Sequence, residues 1–218
     1  MDSTRRLDRQ QAGNFEVGFK TGNEALYFEL VAFRIDIEDE LVPFELPAFP
    51  GRTFFSNAGQ SDRRGIETAF SWQHDSGFGV DASYTWSDFT YDEFVDENDN
   101  DFGGNRLPGL PEHFGYLGLT WRMSQGPTAR FETVYSGELY ADNANEAQVD
   151  AYAVSNFRVY GEYEVGRWMV QPHLGINNLF NERYNSNIRI NAFGGRYYEP
   201  APGRNVYAGV TVGFEPGS

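Results

Sequence analysis

Phe78-Gly-Val-Asp-Ala-Ser-Tyr-Thr-Trp-Ser87 alternates without a break. Its even positions are Phe78, Val80, Ala82, Tyr84 and Trp86, and its odd positions are Gly79, Asp81, Ser83, Thr85 and Ser87. Successive side chains of a strand point to opposite faces, so this stretch reads as a strand with one apolar and one polar face. The same period returns over 168–177. There Trp168, Val170, Pro172, Leu174 and Ile176 oppose Met169, Gln171, His173, Gly175 and Asn177. It returns again over 205–214, where Val206, Ala208, Val210, Val212 and Phe214 oppose Asn205, Tyr207, Gly209, Thr211 and Gly213.

Working outward, weaker alternation marks strands over 15–20, 65–72, 117–122, 129–136 and 157–164. The segment 25–38 is strand-like with an ambiguous phase, because both of its faces are apolar up to Phe33. That makes about nine strands and no convincing helical period. Short Gly-containing turns fall at 21–24, 74–77, 124–127 and 166–167, as tight hairpins require. Long connections fall at 39–52, 92–106, 141–148 and 181–203. This order puts the tight turns at one end of a meander and the long loops at the other, the layout of an outer-membrane barrel.

Composition narrows the alternatives. The chain has 218 residues, no cysteine, 17% aromatic residues and a formal charge of −15. So many aromatics argue against disorder. An acidic chain without clustered Lys and Arg is a poor partner for nucleic acid. No apolar run approaches the ~20 residues of a spanning helix, whereas a spanning strand needs only ~9–11. Met1-Asp-Ser-Thr-Arg-Arg-Leu-Asp-Arg-Gln10 has no apolar h-region and does not read as a signal peptide.

The fold expected is all-β: an antiparallel up-and-down meander of about nine long strands, part of a transmembrane β-barrel. A soluble β-sandwich would alternate too, with its apolar face inward. Three features favour the membrane: strands longer than the usual ~5–6 residues, aromatics at strand ends, and polar faces rich in small and charged residues. Trp72, Trp86, Trp121, Trp168 and Phe214 read as membrane-girdle aromatics, with Phe89 and Tyr91 counted beside them. Asp81, Arg130, Glu132, Arg158, Glu162, Gln171 and His173 read as lumen-facing.

Four stretches resemble the C-terminal part of TonB-dependent outer-membrane receptors. Asn14-Phe-Glu-Val-Gly-Phe-Lys20 is similar to a strand of that family ending in Glu-x-Gly-x-Lys. Asn57-Ala-Gly-Gln-Ser-Asp-Arg-Arg-Gly-Ile-Glu67 resembles its Asn-x-Gly…Gly-x-Glu strand start. Leu174-Gly-Ile-Asn-Asn-Leu-Phe-Asn-Glu-Arg-Tyr184 resembles its Asn-Leu-Phe-Asp-x-x-Tyr segment. Glu199-Pro-Ala-Pro-Gly-Arg-Asn-Val-Tyr-Ala-Gly-Val-Thr-Val-Gly-Phe214 resembles its closing strand, led by a Pro-Gly-Arg turn.

The resemblance implies a plugged barrel of about 22 strands, of which this chain holds the last part. Residues 1–13 are then a disordered or truncated N-terminal segment, 14–214 the barrel strands and 215–218 a tail. It implies an active receptor, energised by TonB, that imports a scarce ligand such as a ferric siderophore. The partners implied are outer-membrane lipid and lipopolysaccharide, the TonB complex through a plug domain outside this chain, and the ligand. The place implied is the bacterial outer membrane. A passive porin and a soluble carbohydrate-binding β-sandwich module are the competing functions.

No catalytic residue or cofactor is expected, since the chain carries no nucleophile elbow, P-loop or paired-carboxylate motif. His74, His113 and His173 lack metal-ligand spacing. Asp96, Asn98 and Asn100 alternate like the start of a calcium loop, but Asp101 stands where that loop needs Gly and Leu107 where it needs Glu. A solvated acidic loop is the plainer reading. The loop after the Asn-Leu-Phe-Asn segment offers Arg183, Tyr184, Arg189, Arg196, Tyr197 and Tyr198 as candidate ligand contacts, since Arg forks suit the carboxylates of an anionic complex. The alternative is a loop folded over its own barrel.

Overall fold

The computed structural model describes residues 7–46, 48–49, 51–57, 59–96, 99–124 and 126–214. Their strands are β1 (Gln11–Gly22), β2 (Leu26–Glu38), β3 (Leu41–Glu45), β4 (Thr53–Asn57), β5 (Gln60–Gln73), β6 (Phe78–Glu93), β7 (His113–Arg122) and β8 (Thr128–Ser136). They continue as β9 (Leu139–Tyr140), β10 (Gln148–Val149), β11 (Tyr152–Tyr160), β12 (Tyr163–Val165), β13 (Trp168–Asn177), β14 (Asn185–Ile188), β15 (Tyr198–Pro200) and β16 (Asn205–Phe214). The tail at 215–218 lies outside the described residues. β1 starts at Gln11, ahead of the apolar alternation that first becomes legible at Phe15.

One antiparallel sheet carries the wall, in the order β1-β2-β5-β6-β7-β8-β11-β13, with β16 on the far side of β13. β12 continues β11 in the same register, since Phe157 faces Ile176, Tyr160 faces His173 and Tyr163 faces Val170. The gap between them has a chemical cause. The Gly161 N–H donates to the Pro172 carbonyl at 3.1 Å, and proline has no N–H to return. The wall is therefore nine strands long, as the alternation predicts. β3–β4, β9–β10 and β14–β15 are small ribbons inside three of the four long loops.

Partners across each ladder share a face, so the register sorts every wall side chain. One row runs across eight strands: Leu26, Trp72, Val80, Leu119, Phe131, Phe157, Ile176 and Val206. Every member is apolar. The row begins beside a short turn at Leu26 and ends beside a long loop at Val206, a stagger of the kind that tilted barrel strands require. The apolar members of this face stay open to the surroundings: Phe15 is 72% exposed and Val206 65%. The face is as long as a bilayer asks. From Phe78 to Trp86 the strand climbs about 26 Å, or about 20 Å once tilted by ~40°.

The register also settles the phase of 25–38. Leu26, Phe28, Leu30 and Ala32 lie on the apolar face, while Tyr27, Glu29, Val31, Phe33, Ile35 and Ile37 lie on the other. Both faces look apolar because the second one runs under the loops. Phe33 meets Phe89 edge-on at 6.1 Å, and Ile37 is buried.

Candidate functional site

Two constellations occupy the polar face and the loop end. The first is a charge network across four wall strands. The Arg130 guanidinium donates to Glu132 Oε1 at 2.9 Å, to Tyr116 Oη at 2.8 Å and to Thr120 Oγ1 at 3.2 Å. Tyr116 Oη donates in turn to Glu132 Oε1 at 2.9 Å. Arg158 Nη2 stands 3.3 Å from Glu132 Oε2, and Asp81 Oδ2 stands 3.8 Å from Arg130 Nη1. Asp81, Arg130, Glu132 and Arg158 are thus gathered into one network. Glu162 and Gln171 form a separate pair, with Gln171 Nε2 donating to Glu162 Oε2 at 2.6 Å. His173 stands apart beside Tyr207, ring centroids 6.2 Å apart, on the same face.

The second constellation is a cap built from the four long loops. Its core is Val42, Tyr91, Phe94 and Leu107, with Phe89 and Phe102 packed against it. Tyr91 keeps 3% of its surface. Phe89 and Tyr91 therefore leave the girdle reading: they lie on the polar face, where Tyr91 pairs with Ser61, and pack under the loops. Tyr91 Oη donates to Asn143 Oδ1 at 3.1 Å. Asn191 Nδ2 donates to the Pro43 carbonyl at 3.0 Å and to Asn143 Oδ1 at 3.1 Å, and Asn191 Oδ1 accepts the Asn143 N–H at 3.0 Å. Asn105 Nδ2 donates to the Asn143 carbonyl at 2.8 Å. Asn145 and Arg106 exchange bonds of 2.8 and 2.9 Å. Asn145 and Asn191 have φ of 57° and 52°, a region in which asparagine is enriched.

Beneath the cap a small pocket is lined by Glu40, Val42, Arg63, Leu107 and Ile190 among others. Its one ion pair joins Arg63 to Glu40, whose other carboxylate oxygen accepts from Ser61 Oγ. The Arg63 guanidinium also lies 5.8 Å from the Phe89 ring centroid. Alternation could not find this site, because its residues come from a strand end and from loops without a period.

The loop at 178–204 places its predicted contacts unevenly. Tyr184 packs against Tyr152 with tilted rings, centroids 4.7 Å apart, and Tyr198 Oη donates to the Gln148 carbonyl at 3.2 Å. Both tie the loop down. Arg196 Nε donates to the Phe193 carbonyl at 3.3 Å, and the Arg189 N–H donates to the Tyr197 carbonyl at 2.8 Å. Burial and nearby Asp142 raise the Tyr197 phenol above its usual range. Arg183 lines an open depression with Glu182 and Asn185 at the foot of the loop.

In the acidic run Asp96 accepts from the Asn100 N–H at 3.0 Å and from Asn100 Nδ2 at 2.9 Å. Asn98 lies outside the described residues. No group of three metal-ligating side chains occurs among the described residues. The run is not wholly solvated, since Phe94 within it is buried.

The Asn-Leu-Phe-Asn stretch has a structural job. Asn178 Oδ1 accepts the Glu182 N–H at 2.7 Å, and its Nδ2 donates to the Glu182 carbonyl at 2.8 Å and the Pro202 carbonyl at 3.3 Å. Asn181 Oδ1 accepts the Arg204 N–H at 3.0 Å. These bonds lock the loop's two ends onto the last strand pair. In the Asn-x-Gly stretch, a side chain at Gly59 would meet the Glu93 carbonyl oxygen at 2.3 Å, which explains the glycine.

Residues 3–179 match the model of the family described as TonB dependent receptor-like, beta-barrel. The chain belongs to that family. It is a family of transport receptors rather than enzymes. The chain is 24% identical over 217 residues to the TonB-dependent siderophore receptor PiuA of Acinetobacter baumannii, covering 95% of this chain and 28% of that protein. It is 24% identical over 137 residues to the ferrioxamine receptor of Yersinia enterocolitica, covering 61% of this chain and 18% of that one. The crystal structure of PiuA superposes with a TM-score of 0.68 over 92% of this chain and 28% of its own, at 24% identity. That of BauA, the ferric preacinetobactin receptor of Acinetobacter baumannii, gives 0.72 at 19% identity over 93% and 29%. The chain thus spans under a third of the length of these receptors, and the nine-strand wall is part of a TonB-dependent receptor barrel.

Proposed function

We propose that this chain is the C-terminal wall and loop cap of an outer-membrane receptor that imports a ferric siderophore with energy delivered by TonB. One observation carries the reading: the family match over residues 3–179 falls on eight of the nine staggered wall strands, whose apolar face is exposed. In this reading residues 14–214 are barrel, the apolar face meets lipid, and the charge network around Arg130 lines the lumen. Trp72, Trp121, Trp168 and Phe214 stand on the apolar face beside short turns, at the periplasmic rim. Trp86 stands at the loop-side rim. The rest of the barrel, the plug and the TonB contact belong to sequence outside this chain.

Within the long loop, Arg189, Arg196 and Tyr197 are the ligand contacts, while Tyr184 and Tyr198 hold the loop in place. The wall does no covalent chemistry; it supplies a pore and a preformed mouth. Uptake of radioiron from a panel of ferric siderophores, by cells with and without the full-length receptor, tests this. Receptor-dependent uptake that disappears on loss of TonB is the expected result. Solute permeation independent of TonB would establish a porin instead.

A further inference from the structure

The pocket beneath the cap has apolar walls and a polar base that is neutral and only partly used. It encloses about 250 Å3. Pockets that take a whole drug-sized ligand hold about 300–1,000 Å3, so this one has room for a single arm of a ligand. Its walls include Leu41, Pro43, Leu107, Leu110 and Ile190, with Glu40 and Arg63 among them. Leu107 is buried, whereas Leu41 is 39% and Leu110 44% exposed. The two exposed leucines mark the side on which the pocket opens. Arg63 faces Phe89 across the ladder, on the polar face of β5 and β6, so the pocket belongs to the lumen side of the wall. Gly109 shapes its rim: φ there is 81°, and a side chain would meet Ile190 Cδ1 at 2.5 Å.

The polar atoms at the base decide what can enter. Arg63 donates from Nη2 to Glu40 Oε1, and Ser61 Oγ donates to Glu40 Oε2. Both carboxylate oxygens are engaged, and the two formal charges cancel. What remains is donor capacity. The Arg63 Nε–H is buried without a partner, and Nη1 has no described partner. Among the described residues, Asp62 Oδ1 is the one other buried side-chain atom left this way, and it lies on the opposite face. A buried donor with nothing to accept from it is costly and uncommon in native proteins. An ammonium group would find no free acceptor in the pocket. A carboxylate would bring a second negative charge beside Glu40 without a free cation to match it. A neutral carbonyl uses the spare donor and adds no charge.

We propose that this pocket takes a short aliphatic arm ending in a neutral carbonyl acceptor, such as an amide, carried by the ferric complex that the receptor imports. The methylenes of the arm lie against Leu41, Leu110 and Ile190, and the carbonyl accepts from Arg63. The identity of the carrier rests on the import reading above; the preference of the pocket follows from its own atoms.

The test uses the full-length receptor that carries this chain, in detergent, with Leu110→Cys as a reporter at the pocket mouth, since the chain has no cysteine of its own. The rate at which a charged methanethiosulfonate reagent modifies that cysteine is followed by intact-mass spectrometry. It is measured alone and with N-pentylacetamide, pentylammonium or hexanoate at equal concentration. N-pentylacetamide should slow the reaction several-fold, and the two charged probes should leave it nearly unchanged. Arg63→Lys keeps a cation beside Glu40 but lacks the second N–H edge. It should need on the order of tenfold more N-pentylacetamide for the same protection, the worth of one hydrogen bond. Ile190→Trp fills the pocket and should abolish protection. Equal protection by all three probes, protection that survives Ile190→Trp, or no protection by N-pentylacetamide, the mark of a packing void, would each overturn the proposal. If either variant fails to form a heat-modifiable barrel, the three probes on the Leu110→Cys receptor decide the matter. The carrier is tested in cells: N-pentylacetamide at a protecting concentration should inhibit TonB-dependent radioiron uptake. Undiminished uptake would overturn the assignment of the arm to the imported complex. Absence of any TonB-dependent uptake would instead remove the import reading and leave the probe result standing.

Discussion

The wall and the cap bury apolar surface in opposite ways. In the wall, Phe15, Val206 and Val210 point outward and stay exposed, the last at 62%. In the cap, Val42, Tyr91, Phe94 and Leu107 are buried among themselves, although they sit in loops and at strand ends. A water-soluble domain shows the reverse, with buried strands and open loops. The difference shows which solvent each region was built for. The wall needs an apolar medium to cover it, whereas the cap carries its own core and keeps its shape in water.

The strongest way to break this comparison is to empty the cap's core. Phe94→Ala removes the ring that meets Tyr91 at 4.9 Å and Phe102 at 5.3 Å. A loss of about 3–5 kcal/mol is expected for such a truncation, and it should fall on the cap alone. Hydrogen exchange should accelerate across the loops while β5, β6 and β7 keep their protection. Loss of protection in both would show that the cap and wall fold as one unit.

A charge in the wall comes next. Leu30→Arg places a guanidinium mid-way along the apolar face of β2, at a cost of ~2–4 kcal/mol in a bilayer. Urea unfolding in phospholipid vesicles measures it. Glu16→Arg on the opposite face of the neighbouring strand should change far less, and equal effects would mean that the two faces see the same medium.

A smaller effect sharpens the cap's architecture. Asn191→Ala removes the side chain that links the Pro43 carbonyl to Asn143, leaving buried groups unpaired at a cost of about 1–3 kcal/mol. Crosslinks between cysteines placed in the 39–59 and 178–204 loops should then form with a broader range of spacers. Unchanged crosslinking would mean that the apolar core alone joins the loops.

The smallest effect is a local acid step. The Trp86 indole N–H and then Arg106 hold the Glu112 carboxyl below its ordinary range. A depressed folded value means the contribution is complete above the unfolded pKa of about 4.3, and is lost as pH falls through the lower folded value. The Trp86 indole N–H resonance should therefore stay constant from neutral pH down to about 5 and shift only below about 4. Glu112→Gln should abolish that shift.

Much of the wall was legible because its signal is local. A period of two needs only neighbours in sequence, so Phe78 to Trp86 and Val206 to Phe214 disclosed both their strands and their faces. The phase of 25–38 was not legible, because Phe33 and Ile37 are apolar for a reason that lies in Phe89 and the loops. The same cause moved Phe89 and Tyr91 out of the girdle. The predicted lumen residues include four that meet around Arg130, yet alternation could say only that they share a face. Their contacts depend on which strands are neighbours and in what register.

By itself, then, the amino-acid order determined the strands, their two faces, the alternation of short turns and long loops, and the motifs that mark the family. These depend on backbone geometry over a few residues. Only the tertiary structure decided the cap and the charge network around Arg130. Pro43, Tyr91, Asn105, Asn143 and Asn191 come from separate loops and a strand end, and Asp81, Tyr116, Arg130 and Arg158 from four neighbouring strands. No local period records such meetings, because hydrogen bonds and charge pairs act through space, at distances that only the ladder registers and loop paths set.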